Sequence, residues 1–168
     1  MPKIIENLPQ KLAQEAQRQI MESGYSAVTI RSVAKACGVG VGTVYNYYPS
    51  KDALVAQFML ADWESCISAI KACADTAKGH EPVLWSIYEG LTQFMQRHEV
   101  ILRDENAAAS FSGTSGKYHE LLRSQLSAPL RKFCRDDFTA DFIAEAMLTW
   151  TVSGKSFDEL QKVLTKLF

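Results

Sequence analysis

Between Thr29 and Asp52 the chain gathers side chains that can grip a polyanion and question its edges: Arg31, Lys35 and Lys51 are cationic, and Thr43, Asn46 and Tyr47 carry hydrogen-bonding groups. Cations interleaved with neutral donors and acceptors over such short spacing suit phosphate and base-edge recognition. No competing catalytic set is apparent. There is no Ser/His/Asp or Cys/His arrangement and no Glu-x-x-His pair, and Gly38, Gly40 and Gly42 fall in a helical turn with no preceding strand, unlike a phosphate-cradling loop. A helical enzyme using an aromatic body as its active site is the rival reading; the expectation is a protein that is not an enzyme. Cys37, Cys66, Cys73 and Cys134 lack the paired short spacings of zinc or redox motifs, so reduced thiols, no metal and no cofactor are expected.

Presenting those side chains requires two short helices joined at a sharp turn. Thr29 is a good N-cap for a helix ending at Gly38, and a second helix of about Val41 to Tyr47 is stopped by Pro49. Ile30, Val33, Ala34, Val39 and Val44 would lock the pair together and onto a preceding helix. That leaves Arg31, Lys35, Thr43, Asn46 and Tyr47 pointing outwards. This is helix-turn-helix geometry, whose second helix fits a major groove about 12 Å wide. A packing role is the competing reading for Tyr45, Tyr47 and Tyr48, and simple solvation is the competing reading for Arg31 and Lys51.

Apolar residues return at three- and four-residue spacing almost everywhere, which predicts an all-α protein. The leading helix spans about Leu8 to Ser23, with Leu8, Leu12, Ala16 and Ile20 on one face and Gly24 as a left-handed cap. Ser50 caps a long helix to about Ala77 with Leu54, Phe58, Cys66, Ile70 and Cys73 as its buried stripe. Pro82 opens a helix through His98, and a further helical stretch runs to Phe111. After a loop at 112–116 come helices of about Lys117 to Cys134 and Thr139 to Ser153, then one opened by the capping box Ser156-Phe157-Asp158-Glu159. The domains expected are 1–50 and 51–168.

At 168 residues, 47% hydrophobic and 22% charged, the composition is that of an ordinary globular protein. No uninterrupted apolar run approaches the roughly 18–20 residues a bilayer demands, and the N-terminus lacks the pattern of a secretory signal, so a cytoplasmic protein without a membrane partner is expected. The net charge of −1 is unevenly spread. Through Lys51, six basic residues face Glu6, Glu15 and Glu22, giving +3, and the remainder carries −4. A mildly basic head on an acidic body suits a DNA-reading module joined to a second domain.

From Leu8 to Leu60 the sequence resembles the tetracycline-repressor (TetR) family. The residues that carry the resemblance are Gly24-Tyr25, Thr29-Ile30, Val33-Ala34, Gly38-Val39, Gly42-Thr43-Val44-Tyr45-Asn46-Tyr47-Tyr48 and Pro49-Ser50-Lys51-Asp52-Ala53-Leu54. The resemblance implies an N-terminal three-helix DNA-binding domain and a C-terminal helical ligand-binding and dimerisation domain. It implies that Thr29 and Arg31 meet phosphates, that Gly42, Thr43, Tyr45 and Asn46 face base edges or nearby backbone, that Tyr47 and Lys51 clamp phosphates, and that Tyr48 is core. Gly40 stands where serine often caps the recognition helix, and Val41 where a polar or basic residue often reaches the DNA; glycine still caps, and valine can touch a thymine methyl.

Trp63, Trp85, Tyr88, Phe94, Met95, Phe111 and Trp150 give the body more bulky apolar surface than the packing of single helices needs. By the resemblance, Trp63, Trp85, Tyr88, Phe94 and Phe111 are candidates for the pocket of a small apolar or aromatic effector. Leu122, Leu126, Leu130, Phe142, Ala146 and Trp150 are candidates for a homodimer interface. His98 and His119 read as solvated residues at helix ends. The function so implied is a ligand-responsive repressor on a palindromic double-stranded DNA operator; the alternative is a dimeric ligand-binding or scaffold protein with weakened DNA binding.

Overall fold

The computed structural model of the chain describes residues 6–111 and 115–168, with the side chains of 6–110 and 118–168. Among the described residues every regular element is a helix. They group into two compact units, one of Met1–Ala61 with His98–Gly113, the other of Asp62–Arg97 with Thr114–Phe168. The boundary falls inside a helix rather than at residue 50, because Leu54, Val55 and Phe58 are buried in the first unit's core.

In the first unit, α1 (Leu8–Ser23) buries Leu8, Leu12, Ala16 and Ile20 on the face expected, with Ala13 beside them. Gly24 follows with φ 85 and ψ 157, a positive φ with extended ψ, so the expected left-handed cap is absent although glycine is still needed. α2 (Ile30–Ala36) opens on Thr29, whose hydroxyl accepts the Ser32 N–H at 3.1 Å while the Thr29 N–H donates to the Ser32 hydroxyl at 3.2 Å. Such a cap stabilises a helix by about 1 kcal/mol. Gly38 takes φ 67 in the turn, a conformation that side chains resist, and the Val39 N–H returns to the Ala34 carbonyl at 3.0 Å.

α3 (Val41–Tyr45) is two residues shorter than expected. Its last turn is carried on by the Tyr47 and Tyr48 N–H groups, both donating to the Val44 carbonyl, before Pro49 stops it. α6 (Glu99–Leu102) and α7 (Glu105–Phe111) replace the single stretch expected after His98. The Asp104 carboxylate accepts the Asn106 and Ala107 N–H groups at 2.9 and 3.2 Å, so it starts a new helix instead of continuing the old one. Leu12, Ile20, Val33, Val44, Leu54 and Ile101 are central in this core.

α4 (Lys51–Thr76) has 26 residues and is long and apolar enough to cross a membrane by length and composition. The same test is passed by core helices. Its apolar residues are used in packing: Leu54, Val55 and Phe58 in the first core, and Trp63, Ile67, Ile70 and Ala74 in the second. Cys66 and Cys73, expected in the buried stripe, are only part-buried.

The second unit adds α5 (Glu81–Arg97), α8 (Ser115–Ser127), α9 (Asp137–Val152) and α10 (Phe157–Leu164). Gly90 of α5 has no side chain because a Cβ there would meet the Cys66 sulfur at 2.7 Å, and burial at this contact pushes the Cys66 thiol pKa up. α8 ends at Ser127, seven residues before the expected Cys134. Pro129 explains the stop, since it lacks an N–H and would clash with the carbonyl four residues back; a 3₁₀ turn, Ala128–Leu130, follows. Of the expected loop, residues 115–116 are already helical and 112–114 lie outside the described residues. The Ser156–Glu159 capping box forms in full.

Candidate nucleic-acid interface

The surface of α3 and its C-terminal turn divides by residue type. Val44 is buried and Tyr48 only 7% exposed, with its hydroxyl donating to the Pro9 carbonyl at 3.1 Å. Tyr45 and Tyr47 are 52% and 49% exposed, and Asn46 between them is exposed too. The three tyrosines thus separate into one core residue and two surface residues. Large aromatic rings left half in water are unusual on an isolated surface and common where a partner covers them.

Gly42 carries a further signal. It lies inside α3 without a positive φ, and a Cβ built on it would meet nothing within 4 Å. Glycine in a helix costs about 0.8–1 kcal/mol relative to alanine, so the fold has a reason to refuse it and none to require it. Thr43 is part-buried at the same edge, and Gly40, the N-cap, makes no side-chain cap bond.

Around this edge lie the candidate phosphate contacts. Arg31, in the first turn of α2, and Lys35, in its last, are both exposed. The Thr29 hydroxyl accepts one bond within the cap and keeps its own hydrogen to donate. Lys51 is also tied into the head itself. Its ammonium donates to the Tyr25 carbonyl at 2.9 Å and sits 3.8 Å over the centre of the Tyr25 ring, so it is first of all a strut of the head. Tyr25 is buried and donates its hydroxyl to the Asp52 carboxylate. Burial first, and that bond second, push its pKa up to about 12. Ser26 donates to Asp104 at 3.0 Å and accepts from Asn106 at 2.9 Å. Sequence reasoning missed this group because its members lie about eighty residues apart.

The sequence profile of the bacterial regulatory proteins of the tetR family matches residues 12–58, from within α1 to Phe58 of α4. The nucleoid occlusion factor SlmA of Glaesserella parasuis is 26% identical over 159 residues, covering 81% of this chain and 79% of the relative. The HTH-type transcriptional repressor KstR of Rhodococcus jostii is 31% identical over 96 residues, 56% of this chain and 43% of its own length. The fold of Thermus thermophilus FadR, a TetR-family transcriptional repressor solved in complex with lauroyl-CoA, superposes with a TM-score of 0.63 at 18% identity, over 95% of this chain and 92% of that one.

The chain belongs to the tetR family. It is an all-α, helix-turn-helix, DNA-binding transcriptional regulator with an N-terminal reading head and a C-terminal helical domain. Regulators of this family generally act by binding DNA rather than by catalysis.

In this TetR-family chain the four candidate pocket residues whose side chains are described, Trp63, Trp85, Tyr88 and Phe94, do not surround one space. Trp63 is buried edge-on against Phe94, ring centres 5.5 Å apart, and its indole N–H donates to Gln125 at 2.5 Å. Trp85 and Tyr88 pack instead on Phe157 of α10, and Trp85 is half exposed. The Phe111 side chain lies outside the described residues. A cavity of about 200 Å³ does open between α4 and α5, lined by Asp62, Cys66, Ile70, Glu89, Phe94 and Arg97 among others. Of the four candidates with described side chains, only Phe94 lines it. Its charged pair, Arg97 donating to Asp62 at 3.1 Å, gives it a polar side that the aromatic reading lacked.

The candidate interface residues also separate. Leu126, in the last turn of α8, and Leu130, in the 3₁₀ turn after it, are fully buried in their own unit's core and cannot meet a second chain, a correction to the expected interface. Leu122 and Ala146 are part-buried, while Phe142 and Trp150 are about half exposed. Phe138, which the sequence reading passed over, is the most exposed large apolar residue described. His98 is buried and stacked on Phe58 at 5.9 Å, contrary to the solvated reading. His119 is exposed and paired with Glu145 at 2.9 Å.

Proposed function

We propose that this regulator is a dimeric, effector-responsive repressor that reads a palindromic operator through Thr29, Arg31, Gly42, Thr43, Tyr45, Asn46 and Tyr47, with Lys51 holding the head in register. The observation that carries the reading is Gly42, bare on a helix whose fold has room for a side chain, flanked by exposed Tyr45, Asn46 and Tyr47. One short helix spans few base pairs; two held about 34–36 Å apart read successive major grooves. Phe138, Phe142, Ala146 and Trp150 recur every fourth residue along α9, and this stripe is the face offered to a second copy.

The effector of this reading is small and has an apolar part for Ile70 and Phe94 and a polar end for Asp62 and Arg97. FadR of T. thermophilus was solved with lauroyl-CoA. Here the cavity of about 200 Å³ is below the usual range of roughly 300–1,000 Å³ for such sites, which favours a compact molecule. Effector binding releases DNA only through unequal affinity for the two states, with α4, which feeds both cores, as the moving part.

The test is an anisotropy titration of the full chain on the duplex upstream of its own gene, across a salt series. Specific binding that weakens with salt is expected, and Arg31→Ala with Tyr47→Ala should abolish it while leaving the helical signal intact. Lys51 is avoided because its loss would disturb the head itself. Unchanged affinity in the double variant would remove these residues from the interface.

A further inference from the structure

Residues 40–47, Gly-Val-Gly-Thr-Val-Tyr-Asn-Tyr, hold no arginine, lysine, glutamine, aspartate, glutamate or histidine. Guanine is read in the major groove chiefly by bidentate Arg or Lys on O6 and N7, and cytosine by a carboxylate accepting from N4. Neither instrument exists on this element. What it offers is Asn46, exposed and suited to the N6 and N7 of adenine, with Val41 and Thr43, whose methyl groups suit the C5-methyl of thymine. Gly42 interposes no side chain on this element, although a Cβ there would meet nothing within 4 Å. The arginine nearest in sequence, Arg31, belongs to α2.

We infer that the base pairs beneath α3 are A·T pairs, read by Asn46 on adenine and by methyl contacts on thymine, so that each operator half-site has an A·T core and any guanine contact lies outside it, under Arg31. This rests on the DNA-reading role proposed above. It adds which bases are read and by which residue. Tyr45 and Tyr47 hydroxyls can meet phosphates or either base pair, so they fix position without choosing guanine.

Selection from random double-stranded oligonucleotides with the full chain, followed by sequencing of the bound fraction, reads the half-site directly. An uninterrupted A·T block in each half is expected. Replacing thymine by deoxyuracil in that block should weaken binding about fourfold per contacted methyl, and this needs no protein variant. Asn46→Ala should cut the adenine preference at one position by about tenfold, while Arg31→Ala, which weakens binding as a whole, leaves the relative preference for A·T pairs within the block as it was. A required G·C pair inside the block that survives Arg31→Ala overturns the inference while sparing the regulator reading. Failure to enrich any duplex overturns both.

Discussion

At the scale of single residues, the head separates positions that folding fixes from positions for which folding supplies no reason. Gly38 is fixed by its positive φ, whereas Gly42 has neither a φ nor a neighbour that demands glycine. Gly42→Ala should therefore raise the urea midpoint of the head, by about 0.5–1 kcal/mol in stability, and weaken operator binding at least tenfold in anisotropy titrations. A variant that gained stability and kept full affinity would leave the bare backbone unexplained. Tyr25 is the opposite case, fixed wholly by folding. Its hydroxyl titrates near 10 in the unfolded chain but at about 12 in the folded one, because it is buried and bonded to Asp52. Below pH 10 both states hold the proton and the contribution is complete. Between pH 10 and about 12 the unfolded chain releases it first, so stability falls as pH rises. Tyr25→Phe should be less stable at pH 8 by about 1 kcal/mol and should lose less than the parent between pH 9.5 and 11.5, as followed by urea unfolding at each pH.

At the scale of elements, the local rules that start and stop helices account for most of the differences from expectation. Thr29 was legible as a cap from its type alone, but its partner Ser32 was not, because the reciprocal box is usually completed by glutamate or glutamine. Thr29→Ala should cost about 1 kcal/mol, and Thr29→Ser should restore most of it, measured by thermal unfolding; an unchanged transition in the alanine variant would mean that α1 packing alone holds α2. α1, α2 and the α10 cap were readable because periodicity, caps and turn glycines agree there. The stop at Ser127 was written in Pro129 and overridden by the apolar spacing of Leu122, Leu126 and Leu130. The break at Asp104 was harder to see, since an aspartate inside an apolar-periodic run reads as a surface residue until its bonds to Asn106 and Ala107 are known. The outward face of α3 and its following turn was legible because Val44 and Tyr48 take their buried side. The body was not. Sequence gives aromatic content, whereas a cavity depends on which rings pack on each other, and here Trp63 takes Phe94 and Trp85 takes Phe157.

At the scale of the whole molecule, charge and oligomeric state decide how the head can work. The unit that holds α1–α3 also includes Asp52, Glu99, Asp104 and Glu105 against Arg103, which cancels the surplus of +3 read up to Lys51. Affinity for DNA then cannot come from a generally cationic unit; the proposed function draws it from local placement of Arg31, Lys35 and the donors near α3, and from doubling the head. Doubling needs a face that water does not satisfy. Phe138 and Phe142 lie with ring centres 6.5 Å apart on α9, with Trp150 two turns further along the same stripe and all three substantially exposed. Phe142→Glu with Trp150→Glu should leave the helical content unchanged, because neither side chain enters the core, yet shift the sedimenting species from dimer to monomer. The monomer should bind a palindrome no better than a single half-site, since the second head then arrives as an independent molecule instead of at the high effective concentration that linkage provides. A double variant that still sediments as a dimer would move the interface off α9, and one that is monomeric but retains full palindrome affinity would show that each head reads its half-site alone.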